Sequence, residues 1–204
     1  MSAVSPAKWS ALTDSNFPFS EHDFLSALEE TNCVGKESGW IPCHLTVWEK
    51  DMLHGALFLY EKNNGYGEYI FDWGWAEAYE KNGLNYYPKL VSAVPFTPAT
   101  GRKLLSHPDA DTAQVRKKLL EESLDCMRSK SCSSLHFLYI TAEEVPVFSS
   151  MGFLIRHSFQ FHWKNNNYQN FDHFLSTLKR KRSKEIIRER KQIKEQMITV
   201  SVLE

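Results

Sequence analysis

Apolar positions at helical spacing first appear at Phe24, Leu25 and Leu28, within the run from Ser20 to Glu30. A short helix is expected there, with Ser20 as its N-cap and Asp23 in its first turn. Beyond Gly35 and Gly39 the period changes. HLTVWEK and MLHGALFLYEK read as two strands of a β-hairpin joined by a tight turn over Glu49 to Asp51. KLVSAVPF is apolar enough for a central strand ending at Pro95, and TPATGRKLL after it begins as a loop and ends as a helix start. From Asp111 to Met127, Val115, Leu119, Leu120 and Leu124 recur between charges, the mark of an amphipathic helix. SLHFLYI predicts another buried strand. Thr141 and Glu144 form a capping-box pattern for a short helix ending at Gly152, and FLIRHSFQFHW, residues 153–163, predicts the last strand. Phe171 to Leu178 opens a helix that continues through KRKRSKEIIRERKQIKEQ, after which MITVSVLE alternates like a strand. A strand cannot satisfy its own backbone, so MITVSVLE either pairs back onto the sheet or begins a further domain. The whole order predicts an α/β fold with a mixed sheet flanked by helices.

One stretch fits this alternation poorly. YGEYIFDWGWAEAY, residues 66–79, holds two Trp, three Tyr, one Phe and three carboxylates. As a strand it would place Glu68 and Asp72 on one face with Tyr66, opposite Tyr69, Phe71, Trp73 and Trp75. One outcome is a cleft wall carrying two acids. The other is an aromatic core with its carboxylates in water.

Composition narrows the classes. A 204-residue chain that is 42% hydrophobic can bury a sizeable core, and a net charge of -1 points to neither a nucleic-acid nor a membrane-surface protein. The charge is uneven, however: from Lys179 onward there are nine Lys or Arg against four Glu, while residues 1–178 carry fifteen against twenty-one acids. Cys33, Cys43, Cys126 and Cys132 lack CxxC spacing, and neither His44 nor His136 completes a ligand set, so no metal is expected and the thiols are read as reduced, in a cytoplasmic protein. No apolar run approaches a membrane span. GxSxG and P-loop motifs are absent, which removes support for hydrolase and nucleotide-hydrolysing readings.

YGEYIFDWGWAEAY, YYPKLVSAVPFTPATGRKLL, LHFLYITAEE, GFLIRHSFQFHW and FDHFLSTLKRKRSKEIIRERK, in that order, resemble the FemAB-like, peptidoglycan-biosynthesis-type predicted N-acyltransferases of the GNAT superfamily. The resemblance runs from about Ser20 to Lys194. It implies a GNAT-like mixed sheet followed by a long basic helix. Residues 1–170 would form a GNAT-like N-terminal domain, and 171–204 a connecting helix plus the first strand of a second such domain. The implied activity is acyl or aminoacyl transfer from a CoA thioester or ester donor, as cosubstrate, to a small-molecule or peptide-like amine. The alternative is a noncatalytic binding domain left from a truncated tandem protein.

Within that resemblance Glu68 and Asp72 are candidates to orient an amine or take its proton, and Tyr66, Trp73, Trp75, Tyr79, Tyr86 and Tyr87 offer a flat wall for the acceptor. Lys89 either pairs with Asp72 or Glu68, the favoured outcome, or binds an anionic donor. His162 is a candidate base or a structural histidine. Thr97, Thr100, Gly101 and Arg102 lie where a donor's pyrophosphate loop is expected, although RxxGxG spacing is missing and Pro95 and Pro98 remove donors, so an ordinary connection between elements fits equally. Arg182, Arg188 and Arg190 on the basic helix form either a solvated face or a contact to a phosphate-bearing acceptor. The oligomeric state stays open.

Overall fold

The computed structural model describes residues 1–13, 16–199 and 201, in two compact units, residues 1–156 and 157–204. The first unit is a mixed α/β structure with two sheets. Strand β1 (Trp40–Pro42), β4 (Tyr60–Lys62), β5 (Lys89–Ser92) and β7 (Leu135–Phe137) form a four-stranded sheet in the order β1-β4-β5-β7. Its last pair is parallel and the others antiparallel. Strands β2 (Leu45–Glu49), β3 (Met52–Leu57) and β6 (Leu105–Ser106) form an antiparallel three-stranded sheet.

The expected hairpin is β2 and β3, turning at Lys50 and Asp51. The run that supplies β3 does not stop with it. MLHGALFLYEK leaves the small sheet after Leu57 and enters the large one at Tyr60. Along it Ala56, Phe58 and Tyr60 enter one core with Trp9, Trp40, Leu53 and Val91, while Leu57 and Leu59 enter a second with Leu90, Leu119, Leu120 and Phe148. Burial of both faces explains why the run is almost continuously apolar rather than alternating.

Helix α1 (Pro6–Ser10), α2 (His22–Glu30), α3 (Trp73–Lys81), α4 (Thr112–Ser129) and α5 (Val145–Ser150) complete this unit. Helix α4 follows the expected amphipathic pattern, with Val115, Leu119 and Leu120 buried and the Asp111 carboxylate accepting from the amides of Ala113 and Gln114. It approaches β3 closely because residue 55 is glycine: a Cβ there would lie 2.3 Å from Val115 Cγ1 and 2.9 Å from Leu105 O.

Several expectations are corrected. Ser20 does not cap α2, which starts after Glu21; its hydroxyl instead donates to Phe17 O at 3.1 Å. KLVSAVPF pairs only as far as Ser92. TPATGRKLL ends in strand β6, not a helix, because Leu105 and Ser106 pair with Ala56 and Gly55. The Thr141 and Glu144 capping box is half present: the Glu144 carboxylate reaches back to Thr141 N at 3.2 Å, but α5 starts at Val145. Residues 66–72 are irregular and 73–81 are helical, so YGEYIFDWGWAEAY is not a strand. FLIRHSFQFHW forms no strand either: it has no ladder partner among the described residues, and Phe159, Phe161 and Trp163 are exposed.

In the second unit, α6 (Phe171–Ser176) is capped by Asn170, and α7 (Arg180–Glu195) starts anew after a break at 177–179, so the expected continuous helix is two. Half of the MITVSVLE alternation, residues 200 and 202–204, lies outside the described residues.

Candidate functional site

Register creates the site. Lys62, the last residue of β4, lies directly opposite Lys89, the first of β5, and both side chains are fully buried. Like charges across a strand pair repel, and buried ammonium groups need partners. The 66–72 loop supplies them. Lys89 Nζ donates to Glu68 Oε2 at 2.8 Å and to Asp72 Oδ2, which also accepts from Tyr86 OH. Lys62 Nζ donates to Tyr66 O at 2.9 Å and stands 4.0 Å over the Trp40 ring. Trp40 Nε1 bonds the same Tyr66 carbonyl, Phe96 N bonds Gly67 O, and Tyr139 OH bonds Glu68 O at 3.3 Å. Tyr69 turns the chain with φ 58°, so the loop carries its acids inward and its rings outward. Asp72 stands at the N-cap position of α3, yet its carboxylate serves Lys89 and Tyr86 instead of the helix.

A neutralised lysine is only part of the cluster. His136, on β7, places Nε2 3.3 Å from Tyr86 OH and 2.8 Å from Ser134 Oγ. Glu68 Oε1 is buried and has no hydrogen-bond donor among the described residues. The environments push the two carboxyls apart. Burial raises Glu68 above the usual range, only partly offset by Lys89. Burial also acts on Asp72, but hydrogen bonds from Lys89 and Tyr86 outweigh it and hold that carboxyl low. Burial, reinforced by the Lys89 charge, pulls His136 down to about 4, so its imidazole is neutral near pH 7. Burial lifts the Tyr87 phenol to about 12, with the Asp72 charge adding to it, and pulls Lys62 down to about 8 against the attraction of Glu68. Two acids with oppositely displaced affinities for a proton, one with a spare acceptor oxygen, can hold an amine and take a proton from it.

The cluster unites Glu68, Asp72, Tyr86, Tyr87 and Lys89, with Tyr79 edge-on to Tyr86 at 5.2 Å. Tyr66, Trp73 and Trp75 are exposed instead; Trp73 stacks on Phe71 at 4.6 Å. In the segment expected to bind pyrophosphate, Thr100 and Arg102 are exposed, Arg102 pairs with Glu143, and Thr97 is half-buried. Gly101 is covered by the Phe17 ring, which a Cβ would meet at 2.3 Å, and its amide bonds Tyr139 O. Beyond Arg102, the amides of Lys103 and Leu104 donate to Glu144 Oε1 at 2.8 and 2.9 Å, so a buried carboxylate already fills that small anion cradle. His162, Arg182, Arg188 and Arg190 belong to the second unit. His162 is exposed, Arg182 pairs with Glu185, and Arg190 lies 4.3 Å over Phe171. A cavity of about 760 Å³, bordered by Lys8, Met52, Leu53, His54 and His107, is lined by none of the cluster residues.

Sequence reasoning missed Lys62, His136 and Ser134 as members. Their signal was a polar residue at the end of or inside an otherwise apolar strand, as in GALFLYEK and SLHFLYI.

No curated protein matches the chain, and no solved structure does. A family model described as peptidoglycan biosynthesis/recognition matches residues 1–204. That match covers both the buried cluster and the basic helix, and on it this chain belongs to the FemAB-like family.

Proposed function

We propose that this chain is an N-acyltransferase, moving an acyl or aminoacyl group from a CoA thioester or an ester donor to an amine, with the Lys89 cluster as its acceptor centre. The observation that carries this reading is the bare Oε1 of Glu68, a buried carboxylate oxygen with no donor among the described residues, beside a carboxylate already committed to lysine. An amine nitrogen is the donor that such an oxygen lacks. The amine lone pair attacks the donor's carbonyl carbon, the C–S or C–O bond breaks, and the proton released by nitrogen passes to Glu68 and on to the leaving thiolate or alkoxide. Lys89 and Tyr86 hold Asp72 ionised, which keeps Glu68 the easier carboxyl to protonate. Neutral His136 orients Tyr86 and lends no competing positive charge.

Oε1 is sealed, so entry of the amine requires the 66–72 loop to lift, with the exposed rings of Tyr66, Trp73 and Trp75 as the surface the acceptor meets first. Arg102 and Thr100 are the side chains offered to a donor phosphate, since the amides beyond them are committed to Glu144. The test is thiol release from acetyl-CoA, and deacylation of an aminoacyl ester, in the presence of a lysine-containing peptide. Glu68→Gln should slow turnover by roughly 10²-fold or more, the usual loss when a general base is removed, measured at a temperature where the variant is folded because the change also removes one of the two buried carboxylates paired with Lys89. Full turnover in Glu68→Gln, or no transfer by the wild-type chain from either donor, overturns the proposal.

A further inference from the structure

Helix α7 carries eight Lys or Arg against three Glu, and its first turn, at the positive end of the helix dipole, holds Arg180, Lys181 and Arg182 with no acid among them. Only Arg182 and Lys191 of the eight have a carboxylate partner among the described residues. No residue of α7 is buried. Of its three isoleucines Ile186 is half-buried, whereas Ile187 is 51% and Ile193 46% exposed, and Met197 and Ile198 follow the helix end at 89% and 53%.

The placement of these residues is ordered. At about 100° per residue, Ile193, Ile186 and Ile187 span an arc of roughly 120°, with Arg190 and Lys194 inside it and Arg180 and Arg182 about 20° beyond its two edges. All three glutamates lie about 100° or more from its centre. Arg190, at that centre, lies over the ring of Phe171, itself 40% exposed. Apolar side chains ringed by long cationic ones, with the acids turned away, match what an interfacial helix needs: the isoleucines enter the acyl boundary while Lys and Arg stems lie along it and their charges reach the headgroups.

We infer that α7 is a membrane-surface helix that docks on an anionic lipid bilayer. This inference is independent of the transfer chemistry proposed above. Charge complementarity selects an anionic partner, and the exposed isoleucines select lipid among anionic partners, because a nucleic acid would neutralise the cations and leave the apolar side chains in water. Each basic residue next to an anionic leaflet strengthens binding by about fivefold, so removing three should weaken it roughly a hundredfold.

The test is co-sedimentation of the full chain with vesicles of phosphatidylcholine alone and of phosphatidylcholine with phosphatidylglycerol, alongside a short duplex RNA. Binding is expected on the phosphatidylglycerol vesicles, weak on phosphatidylcholine, and reduced by salt. Arg180→Gln/Arg182→Gln/Lys194→Gln should weaken it about a hundredfold, and Ile187→Ser/Ile193→Ser at least tenfold, both with unchanged helical circular dichroism. Three results would overturn the inference: equal binding to both vesicle types, RNA binding that exceeds vesicle binding and ignores the isoleucine change, or self-association abolished by that change in the absence of lipid.

Discussion

Replacing Lys89 by methionine tests whether the buried charges hold the first unit together. The side chain is fully buried, and those of Glu68 and Asp72 are only 2% and 5% exposed. Methionine keeps most of the volume and removes the ammonium, leaving Glu68 with neither oxygen bonded by a side chain and Asp72 with Tyr86 alone. Breaking a buried pair by deleting one partner costs about 3–5 kcal/mol. Two carboxylates lose their counterion here, but Lys62 stays close, so about 4 kcal/mol is expected at pH 7.5. For a chain of this size that lowers the thermal midpoint by roughly 8–16 °C. The sign of the pH dependence follows from the displaced carboxyls. In the wild type the folded affinity of Asp72 for a proton is lowered, so its stabilisation is full above the unfolded value, about 3.9, and fades as pH falls through the folded one. Without the ammonium, burial raises both carboxyls above their unfolded values, so the penalty is greatest near neutrality and shrinks as pH falls toward 5. Urea unfolding followed by emission from buried Trp9 and Trp40, at pH 7.5, 6 and 5, measures this directly. Adding Glu68→Gln and Asp72→Asn to Lys89→Met should restore most of the loss at pH 7.5. A deficit below about 1 kcal/mol, or one that is the same at pH 5 and 7.5, refutes the reasoning.

Two further outcomes follow from the same geometry. His136 should stay neutral from pH 8 to 5 and titrate near 4 by NMR of its imidazole protons; as pH falls from the unfolded value, about 6.5, toward 4, it should cost about 1.4 kcal/mol of stability per unit, because only the unfolded chain takes up the proton. Glu144→Ala should leave the amides of Lys103 and Leu104 without acceptors and cost about 2–4 kcal/mol in thermal or urea unfolding, whereas a loss below about 1 kcal/mol would mean that water replaces the carboxylate.

The elements that the amino-acid pattern announced are those whose partners are close in sequence or whose burial is uniform. The β2–β3 hairpin needs only its own turn, α4 its own stripe, and β5 and β7 their apolar runs. Glu68, Asp72 and Lys89 could be singled out as candidates, but through an alternation that the chain does not adopt. Their meeting depends on Lys62 facing Lys89 across β4 and β5, a register fixed by the whole sheet and invisible within residues 66–79. Two charges placed together inside the sheet outcompete the burial of rings, so the polarity of that stretch is inverted: Trp73 and Trp75 face water and Glu68 and Asp72 do not. FLIRHSFQFHW fails for the opposite reason, since alternation is a statement about one chain and a strand requires a second.

The passage of MLHGALFLYEK from one sheet directly into the other ties the fates of both. Pulling this segment out of either layer drags on its neighbour and strips side chains from two cores in a single event, so neither layer can melt while the other stays intact. The amides along it are accordingly the last in this unit that solvent deuterium should reach.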